Sequence, residues 1–179
     1  LTTRFRGITR RSGMLVHGPA GWGEWSPFPE YGRPEIDAWW AAAVESASQE
    51  WPTPVRDSVA VNSIVPAVPA ELAGPYALAG GCSTAKVKVA EPSQTLADDL
   101  ARVEAVRDAL GPQGRVRIDA NGAWSVEQAL AAIRALARFD LEYVEQPCAQ
   151  VEQLAELRLA LARAHLDVPI AADESIRRS

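Results

Sequence analysis

Lys88, Asp119, Glu145 and Asp173 are the reactive groups that recur at regular intervals along this chain. The three acids close the short strand-like runs Arg115-Val-Arg-Ile-Asp119, Leu141-Glu-Tyr-Val-Glu145 and Val168-Pro-Ile-Ala-Ala-Asp173, and Lys88 closes an earlier run that also holds Lys86. Carboxylates gathered in one place repel one another unless a cation sits among them. Hard oxygen ligands with room for water suit Mg²⁺ first and Mn²⁺ next. Such an ion binds a substrate carboxylate and stabilises the enediolate formed when a proton leaves the adjacent carbon. The neighbouring lysine is the base. Lysine is a weak base at its ordinary pKa of about 10.4, but a second ammonium and a divalent cation nearby disfavour its charged form, so Lys86 is expected to tune Lys88.

The spacing also dictates the scaffold. Successive members stand roughly 30 residues apart, the length of one strand-plus-helix unit. In a parallel array of such units the strand ends lie side by side on one rim, where barrel enzymes keep their chemistry. Alternation along a strand puts Lys86 with Lys88, Arg117 with Asp119 and Asn121, and Tyr143 with Glu145 on one face. Val87, Val89, Val116, Ile118 and Val144 then face the helices.

Two compositional regimes divide the chain. Residues 1 to 31 alternate and turn at Gly and Pro, which predicts an antiparallel meander with strands near Phe5, Met14 and Trp22. A helix comes next, with Pro34 in its first turn and Ile36, Trp39, Trp40, Ala43, Val44 and Ala47 as its apolar stripe, ending before Trp51-Pro52-Thr53-Pro54. From Ser58 strands alternate with helices: a strand over 59–65, a short helical stretch over 69–79, and a strand over 84–89. A helix carrying Leu96, Leu100, Val103, Val106 and Leu110 is stopped by Gly111-Pro112. Ser125-Val-Glu-Gln128 is a capping box opening a helix that buries Leu130, Ile133, Leu136 and Ala137. A further helix buries Val151, Leu154, Leu157 and Leu161. The fold class is α/β, with a small N-terminal α+β domain (residues 1–56) and a parallel sheet covered by helices (57–179).

Bulk properties exclude several functions. The chain has 179 residues, 47% of them hydrophobic, and a net charge of −5 with both signs scattered, which leaves no basic footprint for nucleic acid and no polybasic segment for anionic lipid. No apolar run spans a membrane and no signal-peptide pattern is present, so a cytoplasmic location is the default. Cys82 and Cys148 read as free thiols, and two histidines, His17 and His165, are too few and too distant for a zinc site. The six tryptophans read as core and interface packing. Starting at Leu1 without Met and stopping after Arg177-Arg178, the chain reads as part of a longer protein.

Singly, each motif has a plain reading: Asp119-Ala-Asn-Gly122 as a turn, Lys86-Val-Lys88 as an exposed strand face, Asp173-Glu-Ser175 as a helix cap. Together, in this order and spacing, Lys86-Val-Lys88, Asp119-Ala-Asn-Gly122, Glu145-Gln-Pro147 and Asp173-Glu-Ser175 resemble the enolase superfamily and its muconate-lactonizing branch. Within it, Gly18-Pro-Ala-Gly-Trp-Gly-Glu-Trp-Ser-Pro-Phe-Pro-Glu-Tyr31 and Val61-Asn-Ser-Ile-Val-Pro66 are similar to the o-succinylbenzoate synthases of menaquinone biosynthesis.

The resemblance implies a capping domain followed by a modified (β/α) TIM-type barrel, here ending after its fifth strand. It implies metal ligands at Asp119, Glu145 and Asp173, Mg²⁺ (or Mn²⁺) as cofactor, Lys88 as the acid/base lysine and Lys86 as its support. The implied reaction is a syn dehydration of a small carboxylate substrate, making the protein a carbon–oxygen lyase. Arg11-Ser-Gly-Met-Leu15 corresponds to a cap loop that closes over substrate. The family's second catalytic lysine falls beyond Ser179, and a complete barrel takes about 250 residues, so these residues alone are expected to turn over little. A racemase of N-succinylamino acids, a dipeptide epimerase, and a non-catalytic fragment with the same motifs are the alternatives.

Overall fold

The structure is a computed structural model that describes residues 1–5 and 7–176. Arg6, the Arg177-Arg178 pair and Ser179 lie outside the described residues. The chain divides into two compact units, Leu1–Val59 and Ala60 onward.

The first unit is a hairpin with a helix on it. Strands β1 (Met14–Gly18) and β2 (Gly21–Trp25) pair antiparallel and lead into α1 (Arg33–Ser48). The expected strand near Phe5 is reduced to one isolated bridge, Phe5 to Ile8. Helix α1 starts as its residues dictate: Gly32 is the cap, Pro34 sits in the first turn, and Glu35 accepts from the Gly32 N–H. Its buried face is narrower than the sequence stripe, because Ala43 and Ala47 are buried while Trp40 and Val44 are exposed. Gly18 and Gly23 explain this. A Cβ at Gly23 would fall inside contact distance of the Ala43 carbonyl, and one at Gly18 would do the same at Ala47, so the helix rests directly on the hairpin backbone. An aromatic chain of Phe28, Tyr31 and Trp39 and an edge-on Trp25–Trp40 pair complete the unit. Trp22 and Trp51, expected to be packed, are exposed.

The second unit is a parallel sheet in the order β3-β4-β5-β6-β7, each strand next to its sequence neighbour. The strands are β3 (Ser63–Val65), β4 (Thr84–Lys88), β5 (Arg115–Asp119), β6 (Leu141–Glu145) and β7 (Ile170–Ala171). Helices α2 (Ala70–Ala77), α3 (Leu96–Leu110), α4 (Val126–Leu136) and α5 (Val151–Arg163) connect them. The first and last strands are shorter than the sequence predicts; Asp173 stands two residues beyond β7 rather than inside it. Pro75 is accommodated within α2.

One core lies between the sheet and its helices. Val65, Ala85, Val87, Val116, Ile118 and Val144 from the strands meet Val103, Val106, Ile133, Leu136, Leu157 and Leu161 from the helices, all essentially without solvent exposure. Fully burying such side chains contributes roughly 1.5–3 kcal/mol each. The predicted stripes shift in two helices: α4 buries Ala129 and Ala132 with Ile133 and Leu136, and Val151 at the start of α5 is exposed. The Ser125 capping box forms as expected, with Ser125 accepting from the Gln128 N–H and Gln128 accepting from the Ser125 N–H. Among the described residues, no helix is long and apolar enough to cross a membrane.

Candidate metal and proton-transfer site

Register brings the chemistry together. Lys88 on β4, Asp119 on β5 and Glu145 on β6 are directly aligned, with Lys86, Arg117 and Tyr143 aligned one layer beneath. All six side chains lie on the face opposite the core, as alternation predicts. Asp119 is 1% exposed at its side chain, Lys86 19% and Lys88 13%, so the acid is enclosed and both lysines are largely covered.

The lysines and acids form one network. Lys86 Nζ donates to Glu145 Oε1 at 2.7 Å and lies 3.4 Å from Asp119 Oδ2. Lys88 pairs with the same Asp119 oxygen and donates to Asn121 Oδ1 at 2.8 Å. The other Asp119 oxygen accepts from the Asn121 N–H at 2.9 Å, and Asn121 Nδ2 donates to Glu174 Oε1 at 2.8 Å. Burial pulls the Lys86 pKa down, but the hydrogen bond to Glu145 and the charges of Asp119 and Glu145 outweigh it and hold the group above the usual lysine value. Lys86 and Lys88 share Asp119 Oδ2, so the two ammonium groups are neighbours across a carboxylate.

Asp173 is placed differently from its two partners. Its main chain is fixed near Glu145, because its N–H donates to Gln146 Oε1 at 2.6 Å. Yet Asp119, Glu145 and Asp173 do not form a three-carboxylate cluster: among the described residues, no group of three or more His, Cys, Asp or Glu side chains is close enough to hold a metal ion. The donor chemistry nevertheless fits a hard cation at Asp119 and Glu145. Two carboxylates in register, largely removed from water, need positive charge between them, and the Lys86 ammonium supplies it by touching both.

Several supporting residues escaped the sequence reading. Arg102 on α3 is fully buried, donating to the Lys88 carbonyl at 3.0 Å, to Val68 O at 2.7 Å and to Asp99 Oδ1 at 2.9 Å, and pairing with Gln94. Asp99 in turn accepts from the Ala90 N–H at 3.0 Å. Burial pushes the Asp99 carboxyl above the usual carboxylate range, against the pull of Ala90 and Arg102. This pair therefore grips the backbone on both sides of Val89, just where β4 delivers Lys88. The chain then turns through left-handed residues after three successive strands, Ala90 (φ 61°), Asn121 (φ 47°) and Gln146 (φ 38°), a costly conformation for non-glycine residues that concentrates at functional rims. Arg117 lies 5.0 Å above the Tyr143 ring, donates to Glu142 at 2.6 Å and to Asn62 Oδ1 at 3.0 Å. In the first unit, the stretch expected as a cap loop is half strand, since Met14 and Leu15 open β1 and Arg11 donates to Ser26 O at 2.9 Å. Both cysteines are free; Cys148 is buried, and burial raises its thiol pKa.

Residues 70–179 match the family described as enolase C-terminal domain-like, and residues 1–47 the one described as enolase N-terminal domain-like. The chain is 64% identical over 179 residues to the o-succinylbenzoate synthase of Thermobifida fusca, covering all of this chain and 55% of that protein. It thus spans about half the length of the curated relatives it matches. Among solved structures, a mandelate racemase/muconate lactonizing family protein from Azoarcus is 32% identical with a TM-score of 0.58, over 68% of this chain and 32% of that one. A racemase from Streptomyces coelicolor with bound magnesium is 32% identical with a TM-score of 0.52, over 64% of this chain and 33% of that one. With a matched region reaching from the helix before β4 through the strand that precedes Asp173, and a lysine–carboxylate rim in register, the chain belongs to the enolase superfamily.

Proposed function

We propose that this chain carries the base lysine and the metal-ligand strands of an o-succinylbenzoate synthase, in which 2-succinyl-6-hydroxy-2,4-cyclohexadiene-1-carboxylate loses water to give o-succinylbenzoate. The observation that carries the reading is the aligned Lys88–Asp119–Glu145 row with Lys86 beneath it. The 64% identity to a synthase over the whole chain supports this chemistry over its relatives.

Lys88 is the residue that moves the proton. As a neutral amine it takes the hydrogen on the ring carbon bearing the carboxylate; as the resulting ammonium it protonates the departing hydroxyl on the adjacent carbon. One C–H and one C–O bond break, a C=C bond completes the aromatic ring, and water leaves. Lys88 ends as it began. Asn121 orients it through the 2.8 Å contact, and Lys86 keeps positive charge beside the two acids. Asp119, Glu145 and Asp173 would hold Mg²⁺, or Mn²⁺ in its place, which when bound supplies Lewis-acid stabilisation to the substrate carboxylate and takes over charge neutralisation from the lysines. The test is a Mg²⁺-dependent aromatisation assay on the full-length protein. Lys88→Ala is expected to lower kcat by about 10²–10⁴-fold, and near-parental turnover would remove Lys88 from this role.

A racemase or epimerase would use the same row, and the magnesium-bound racemase at 32% identity keeps that reading in view. Deuterium exchange into an N-succinylamino acid, faster than aromatisation of the cyclohexadiene, would favour it.

A further inference from the structure

We infer that Gln146 is a positioning residue that sets Asp173 for cation binding; this rests on the reading of Asp119, Glu145 and Asp173 as the metal ligands. Gln146 comes directly after Glu145, is fully buried and is held at φ 38°. Its side-chain oxygen accepts three hydrogen bonds from the segment after β7: from the Asp173 N–H at 2.6 Å, the Ser175 N–H at 3.2 Å and the Ser175 hydroxyl at 3.1 Å. Its side-chain nitrogen donates to the Cys148 carbonyl at 2.8 Å. That last bond fixes which way the amide faces, since a flipped amide would set N–H against N–H at Asp173 and carbonyl against carbonyl at Cys148.

The main chain of the same residue is equally committed. Its N–H donates to Ala171 O at 2.8 Å and its carbonyl accepts from the Gly122 N–H at 2.7 Å. One residue therefore ties together the ends of β5, β6 and β7. Strand β7 is only two residues long, so its ladder does little to hold residues 172–175 in place. The Gln146 amide does that instead, anchoring the backbone of Asp173 one residue away from Glu145. Satisfying a buried glutamine would not require three donors from a single three-residue segment, and the amide accepts there while donating to Cys148. Glutamate lacks the donor and methionine lacks both functions.

The experiment is calorimetric titration of Mg²⁺ into the full-length protein without substrate, with the melting temperature recorded for each variant. Gln146→Met is expected to weaken Mg²⁺ binding by about 10–100-fold, as loss of a ligand's outer partner does, and Asp173→Asn, which alters a ligand itself, to weaken it at least as much. Ser175→Ala, which removes one donor, is expected to give a smaller loss with the parental melting temperature. For Gln146→Met, kcat should recover substantially at saturating Mg²⁺, because affinity rather than proton transfer has been lost. Parental affinity in Gln146→Met alongside a weakened Asp173→Asn overturns the role of Gln146. Parental affinity in Asp173→Asn overturns the ligand reading beneath it. Should Gln146→Met not fold, Ser175→Ala decides: weakened binding upholds the assignment, and unchanged binding overturns it.

Discussion

Lys86 reaches past the strand beside its own: its Nζ lies 2.7 Å from Glu145 Oε1 although β5 stands between β4 and β6. On the way it passes Asp119 at 3.4 Å, so one ammonium serves two enclosed carboxylates. A group in that position both stabilises the acids and competes with any cation that binds them.

Removing Lys86 should therefore separate two properties that usually move together. In Lys86→Met the metal-free protein is expected to melt earlier, because two buried acids lose their shared counter-charge. Mg²⁺ is expected to bind more tightly, by several-fold, since the competing ammonium is gone. Melting curves with and without Mg²⁺, together with a Mg²⁺ titration, check both; weaker Mg²⁺ binding would mean that Lys86 assists the cation rather than competing with it.

A buried ion pair makes the second prediction. Arg102→Met strands Asp99 in the core and frees the Lys88 carbonyl, and breaking such a pair costs about 3–5 kcal/mol. Replacing both residues, Asp99→Leu with Arg102→Met, should restore much of that stability, yet leave kcat reduced because the end of β4 is no longer gripped. Denaturant unfolding and turnover of the full-length protein report the two effects independently.

Acid stability should carry the mark of Glu142. Its hydrogen bond with Arg117, at 2.6 Å, holds the Glu142 carboxyl below its ordinary pKa, with Arg115 adding to the effect. A depressed pKa means that the folded state releases the proton more readily than the unfolded chain. The stabilisation is then fully present above the unfolded value, about 4.3, and is lost as pH falls through the lower folded value. Glu142→Gln should melt earlier than the parent at neutral pH, and the difference should close as the medium is acidified below about pH 4. A gap that stayed constant with pH would assign the effect to packing.

Much of the second unit was legible because period-2 alternation is a strong signal in strands with one buried face. Val87, Val116, Ile118 and Val144 are buried, and Lys86, Lys88, Asp119 and Glu145 meet on the other side, as the spacing predicts. Strict alternation failed in β6. Its pairing with β5 jumps from Val116–Leu141 to Arg117–Tyr143, so Leu141 turns into the core and Glu142 joins Tyr143 beside Arg117. A bulge adds one residue without leaving a composition signal. The Arg102 and Gln146 anchors were invisible for another reason: each grips backbone groups contributed by segments distant in sequence, and carbonyls and amides are the same at every position. Strand β3 was overestimated because the apolar, β-branched Val59 and Val61 lie before the point where pairing with β4 begins.

The contacts of Gly23 with Ala43 and of Gly18 with Ala47 give the first unit a built-in gauge. Its thickness is set by main chain touching main chain, one helical turn apart, with no side chain left to rearrange if either surface grows. A methyl group at either glycine must lever the whole helix away, whereas the large ring between them in sequence, Trp22, is exposed and lies tilted against His17. Gly23→Ala should therefore lower the melting temperature more than Trp22→Ala does, despite adding a single carbon. Positions with no chemistry and the smallest side chains are the ones this unit is least free to change.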